Sequence, residues 1–333
     1  MIESLSLKNF KAWREVDSLE FGRITGLFGA NSSGKTSLLQ SLLLLKQTSE
    51  SADRSLPLDL GDGRNLVELG TFRDILHRHD LGSELEWTLT WRLPHVLQVI
   101  DPQQQGAVLF GSERLTHSAR IGWLNGGGVG RMAVAQHSYR FSEREFGIRA
   151  SEGRKGEFDL FFAGKQDFRF VRVQGRAWPL PAPAKSYGFP DQVRGYYQNA
   201  GFLSDFELAF ETVFAKVFYL GPLREYPRRE YAWAGGQPTD VGRRGERVVE
   251  ALLASRERGA VISEGKGVKR LTVEARVAKW LKELGLIHEF EVRAISPDSK
   301  LYEVVVRRTP TSTPVLITDV GFGVSQILPV LTL

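Results

Sequence analysis

Residues 29–36 read Gly29-Ala30-Asn31-Ser32-Ser33-Gly34-Lys35-Thr36, which fits the spacing G-x-x-x-x-G-K-[ST] at every required position. No other stretch restricts the fold as much. The glycines let a turn wrap closely around an anion with its N–H groups pointing inward, and the helix that must follow adds positive potential at the same place. The flanks agree with that demand. Residues 24–28 form a short apolar run, predicted as a strand, and Leu38, Leu39, Leu42, Leu43 and Leu45, closed by Lys46, form a broad buried helical face. Upstream, Ile2, Leu5 and Leu7 predict one extended segment and residues 19–21 a second.

The chemistry follows from the spacing. Lys35 supplies a mobile point charge to the β- and γ-phosphates of a nucleotide, and the Thr36 hydroxyl completes a position on Mg²⁺. The candidate nucleotide-binding residues are Gly29, Asn31, Ser32, Ser33, Gly34, Lys35, Thr36 and Ser37, with Thr36 as the metal ligand and ATP with Mg²⁺ as the cofactors.

Composition narrows the class. A chain of 333 residues, 42% hydrophobic and 25% charged, has the profile of a globular protein that buries a core. It has no cysteine, which excludes disulfides, thiolate zinc sites and cysteine nucleophiles together. The N-terminus alternates apolar and polar residues and lacks the apolar core of a secretory signal, while the apolar stretch 38–45 is interrupted by Gln40 and Ser41 and is too short to span a bilayer. A cytoplasmic location without membrane contact is expected. The net charge of +5 admits a nucleic-acid partner, but the arginine-rich stretch 224–247 carries Glu225, Glu230, Asp240 and Glu246 and reads equally as a solvated face.

Three regions are predicted along the chain: a first lobe over 1–84, an antiparallel β-rich meander or insertion over 85–200, and a mixed second lobe over 201–333. Short strand-like runs at 87–91, 131–141 and 168–173 carry the second region, with Gly126, Gly127 and Gly128 at a loop tip. In the third, residues 203–217 are helical in pattern and 217–220 a short strand. Val273, Val277, Trp280, Leu281 and Leu284 form a helical stripe more readily explained by core packing than by a ligand, and 301–306 and 315–317 read as strands.

A Mg²⁺-binding acid at the end of an apolar strand has two candidates, Asp101 after 96–100 and Asp319 after 315–318, and no glutamate follows Asp319. Beyond it, Gly321-Phe322-Gly323-Val324-Ser325-Gln326 places glycines and a serine at the head of an apolar helix, a second anion site of the helix-terminus kind. Two such sites so far apart in sequence suggest a composite pocket closed by a second subunit.

The opening Leu5-Ser6-Leu7-Lys8-Asn9-Phe10-Lys11-Ala12-Trp13, with Leu27-Phe28 and the glycine loop, resembles the start of ABC-type ATPases of the RecF, SMC and OLD group. Residues 319–329 are similar to their signature motif. Tyr219-Leu220-Gly221-Pro222-Leu223-Arg224-Glu225-Tyr226, with Asp240-Val241-Gly242 and Gly245-Glu246, is similar to bacterial AAA-family ATPases of this group, some of them near phage-defence genes. The resemblance implies an α/β P-loop NTPase fold: an ABC-ATPase-like head with an antiparallel β-rich subdomain and a mixed α/β second lobe. It implies that Gly321, Gly323, Ser325 and Gln326 act in trans on a partner's nucleotide, that ATP joins two heads in a homodimer or head-to-head oligomer, and that DNA and an effector nuclease or other defence protein are candidate partners. In such ATPases an acidic strand, a D-loop and a switch histidine follow the signature. Those residues are not in this sequence, so the reading expects a chain truncated after the signature, with hydrolysis belonging to the complete protein and the catalytic residues unknown apart from Asp319.

Two other functions stay open: a regulatory or assembly fragment that binds ATP without turning it over, and a P-loop kinase-like enzyme that would need Asp101. No N-K-x-D pattern supports a GTPase, and no nucleophile elbow supports a hydrolytic triad. His77 and His79 lack the further ligands of a metal cluster. The resemblance further implies that residues 70–74 lie near the γ-phosphate, where such ATPases have a Q-loop, although the stretch contains no glutamine.

Overall fold

The computed structural model describes all residues except 64, 101–107, 125–129, 166, 167, 264, 266 and 268. The chain divides into two compact units, Met1–Val217 and Phe218–Leu333.

The first unit opens on a hairpin of β1 (Ile2–Phe10) and β2 (Trp13–Glu20), followed by α1 (Lys35–Glu50) and the one-turn α2 (Phe72–Ile75). Five strands then run as a meander: β3 (Leu85–Ile100), β4 (Val108–Leu124), β5 (Arg131–Phe141), β6 (Arg144–Ala150) and β7 (Phe158–Ala163). The short α3 (Gln192–Tyr196) and the longer α4 (Leu203–Ala215) complete the unit. The strands form one seven-stranded sheet, ordered β2-β1-β3-β4-β5-β6-β7, antiparallel at every junction.

Register sorts the side chains into rows. Leu5, Leu89, His117, Tyr139, Phe146 and Phe162 lie opposite one another across six strands, and Leu7, Trp87, Ala119, His137, Ile148 and Leu160 form the parallel row. Because side chains alternate with a period of two, the intervening row, Ser6, Thr88, Ser118, Ser138, Gly147 and Phe161, takes the opposite face. On α4, Phe206, Phe210 and Phe214 recur at four-residue steps and are fully buried, and Phe210 and Phe206 pack 5.0 and 5.6 Å from the rings of His117 and Tyr139. Helix α1 buries Leu43, Leu44 and Leu45, and its Lys46 Nζ donates to the Phe214 carbonyl at 3.0 Å and pairs with Glu50 at 2.6 Å.

The second unit contains β8 (Tyr231–Ala232), α5 (Val248–Glu257), β9 (Val261–Ile262), β10 (Leu271–Thr272), α6 (Val273–Glu283), β11 (Glu289–Ala294), β12 (Leu301–Arg307), β13 (Val315–Leu316) and α7 (Gly323–Thr332). Strand β12 is the hub, pairing with β11, β13 and β8, all antiparallel. The stripe on α6 is core in part: Val277 and Leu281 are fully buried with Leu252, Val292, Val304 and Leu328 and Val273 packs against them, whereas Trp280 is half-buried and Leu284, just past the helix, is exposed. Thr272 caps the helix by accepting from the Ala275 N–H at 3.2 Å.

Three expected strands are absent. Residues 217–220 pair with no strand, and 168–173 contribute only an isolated bridge, Arg172 to Tyr197. Residues 24–28 belong to no sheet, and Ile24 and Phe28 are 95% and 94% exposed. β-propensity alone makes no strand where no neighbouring segment presents its backbone.

Candidate functional site

The glycine loop joins this exposed segment to α1. Ser33 N–H donates to the Ala30 carbonyl at 3.3 Å, closing the turn, and Ser32 is held at φ 63°. The N–H groups of Asn31, Ser32, Gly34, Lys35 and Thr36 find no acceptor among the described residues, as expected of a helix N-terminus and the turn before it. Lys35 folds back over the loop, its ammonium donating to the Gly29 carbonyl at 2.8 Å and the Ala30 carbonyl at 2.6 Å, with Ser33 Oγ at 3.4 Å. One cation and a run of amides that find no acceptor thus share an exposed turn, a set of donors that suits an anion with several oxygens.

Gly34 is the N-cap of α1 at φ 89°, a left-handed conformation that favours glycine. A Cβ there would lie 2.8 Å from Trp13 Nε1 and 3.2 Å from the Ala12 methyl. Its carbonyl accepts from Ser37 N–H at 3.0 Å, from Leu38 N–H at 3.4 Å and from the Trp13 indole at 3.0 Å. Two residues away, Lys11 Nζ donates to Gln40 Oε1 of α1 at 2.8 Å, and burial lowers this ammonium's pKa from its ordinary value.

Residues 70–74 form a capping box: Asp74 accepts from both the Thr71 N–H and its hydroxyl, and these bonds lower the carboxyl pKa. The segment meets the β1–β2 turn through Lys11 N–H to the Ile75 carbonyl at 2.8 Å and His77 Nδ1 to the Lys11 carbonyl at 2.9 Å. A carbonyl only accepts, so Nδ1 carries the proton. His79 Nδ1 bonds the Arg73 carbonyl at 3.0 Å. Both histidines are backbone braces, and no group of three or more His, Asp or Glu that could hold a metal exists among the described residues.

In the second unit Gly321 and Gly323 are exposed, with open space where a Cβ would project. Ser325 is 8% exposed, and its hydroxyl donates back to the Phe322 carbonyl at 2.9 Å. Gln326 Nε2 is buried without a hydrogen-bond partner. Asp319 accepts from Arg229 at 3.0 Å and from the Thr318 hydroxyl at 3.1 Å, so its charge is already paired. Asp101 and the three glycines 126–128 lie outside the described residues. No helix among the described residues is long and apolar enough to cross a membrane.

The loop is legible in the sequence, whereas Trp13 and Lys11 as its neighbours are not. Their partners lie 21 and 29 residues away, and no periodic pattern marks such contacts.

Residues 1–84 match the family model described as AAA ATPase domain. That span contains the glycine loop, the β1–β2 hairpin, α1 and the capping box, and the match supports a nucleotide-binding ATPase. No curated protein matches the chain.

Proposed function

We propose that this chain is the ATP-binding head of an ABC/RecF-like ATPase, in which ATP drives the association of two heads. The observation that carries the reading is the loop at 29–36, where amides without acceptors and the Lys35 ammonium surround one turn at the head of α1. These residues fit a nucleotide's phosphates: the amides and Lys35 provide donors only, and Thr36 stands on the first turn of the helix. Mg²⁺ would be held by the Thr36 hydroxyl together with phosphate oxygens and water, where it neutralises charge on the phosphates. Lys35 exchanges its two carbonyl contacts for phosphate oxygens, a gain because the ammonium then meets an anionic acceptor in place of a neutral one.

In the same reading Gly321, Gly323 and Ser325 at the head of α7 meet the nucleotide of a second copy. Sedimentation of the purified chain with and without Mg·ATP tests this. The wild type is expected to shift to a dimer with ATP, and Lys35→Ala and Gly323→Glu to stay unshifted. The glutamate enters open space, so it adds charge without disturbing packing. An unshifted wild type, or a Gly323→Glu variant that dimerises normally, contradicts the trans contact.

A second reading, nucleotide binding without turnover, is favoured by the pairing of Asp319 with Arg229, which leaves this carboxylate engaged in an ion pair. Turnover abolished by Asp319→Ala would exclude it.

A further inference from the structure

We propose that Trp13 is a positioning residue of the glycine loop, holding the Lys35 amide in the direction an anion requires; its effect on ligands rests on the nucleotide-binding reading above. The peptide between Gly34 and Lys35 couples the two groups concerned. A trans peptide is planar, with C=O and N–H pointing in opposite directions, so whatever fixes the Gly34 carbonyl also fixes the Lys35 N–H. At most positions in a helix, bonds from the following turn alone do this. Gly34 lacks side-chain restraint and sits at φ 89°, where glycine moves freely, and the residues before it are exposed.

The indole N–H adds a restraint on the Gly34 carbonyl at 3.0 Å, beside the Ser37 and Leu38 amides, from a strand anchored in the seven-stranded sheet. Trp13 opens β2 and pairs across the hairpin with Phe10, which is 1% exposed. Between them Lys11 is gripped on both sides, by Gln40 of α1 and by the Ile75 carbonyl and His77 ring. The hairpin turn therefore holds α1 at two points, Gly34 and Gln40, about 9 Å apart along the helix axis. Contact with Trp13 also explains why residue 34 has no room for a side chain, independently of any ligand. The indole bonds backbone, and its stated role needs no contact with the base.

The test is Trp13→Phe in the full chain, which keeps a ring and removes the donor. Hydrogen exchange of the Ser37 and Leu38 amides, both bonded to the Gly34 carbonyl, is expected to speed up several-fold while β4 and β5 remain as protected as in the wild type. Affinities for Mg·ATP and for Mg·inorganic triphosphate are expected to fall by the same factor, about tenfold for one lost hydrogen bond. Unchanged exchange at 37 and 38 overturns the proposal, as does a loss confined to ATP, which would make Trp13 a base contact. If the wild type binds neither ligand the nucleotide reading fails, and the exchange result alone then decides whether Trp13 holds the loop.

Discussion

Gly34 bears two constraints that can be separated by substitution. Its left-handed φ alone costs an alanine about 1–2 kcal/mol, and the Trp13 indole adds a steric cost. Gly153 has a similar φ of 73° and nothing within 4 Å of a built Cβ. In urea unfolding, Gly34→Ala is expected to lose clearly more stability than Gly153→Ala, because only the former displaces the indole. Equal losses would show that the Trp13 contact is not tight. The spacing of Gly29, Gly34, Lys35 and Thr36 made the loop legible in the sequence, since phosphate chemistry demands those residue types at those positions. The direction of the Ser325 hydroxyl was not legible: it depends on the first turn of α7, where the Phe322 carbonyl lies within reach.

Among the elements, the cross-strand rows decide how the first unit responds to acid. His117 and His137 occupy adjacent rows and are fully buried; desolvation lowers the His117 pKa well below its ordinary value and brings that of His137 from 6.5 to about 3. Below about pH 6.5 the unfolded chain binds more protons at both positions, so their contribution to stability is complete above that pH and is lost as the pH falls, for His137 down towards 3. Glu207 has the opposite sign. Burial raises its pKa from 4.5 to about 7, so its contribution is lost as the pH rises through that window and offsets part of the histidine effect. Denaturation midpoints should therefore drop on the acid side of pH 6.5. His137→Gln, which keeps a donor for the Gly188 carbonyl without titrating, should make that drop shallower; an unchanged acid limb would rule out the buried neutral histidine. Strand β5 was readable because His137, Tyr139 and Phe141 alternate with Ser138 and Arg140. Residues 24–28 are equally apolar yet unpaired, and 168–173 are held by one isolated bridge and by rings, Phe168 packing 5.3 Å from Phe146. Apolar content specifies burial or a strand only when a partner is present.

At the scale of the whole molecule, the chain is two compact units with separate cores, and the candidate residues are distributed between them, the glycine loop in Met1–Val217 and the head of α7 in Phe218–Leu333. The α6 stripe announced the second core through its 3.6-residue period, whereas the unit boundary at 217 has no compositional mark. The family match covers residues 1–84 and so bears on the loop rather than on α7. ATP binding by the loop is therefore decided by equilibrium titration of the full chain with Mg·ATP, wild type beside Lys35→Ala. Saturable binding by the wild type is expected, with at least tenfold weaker binding by the variant, the loss of one charged contact to phosphate. A wild type that does not bind, or two proteins that bind alike, would contradict it.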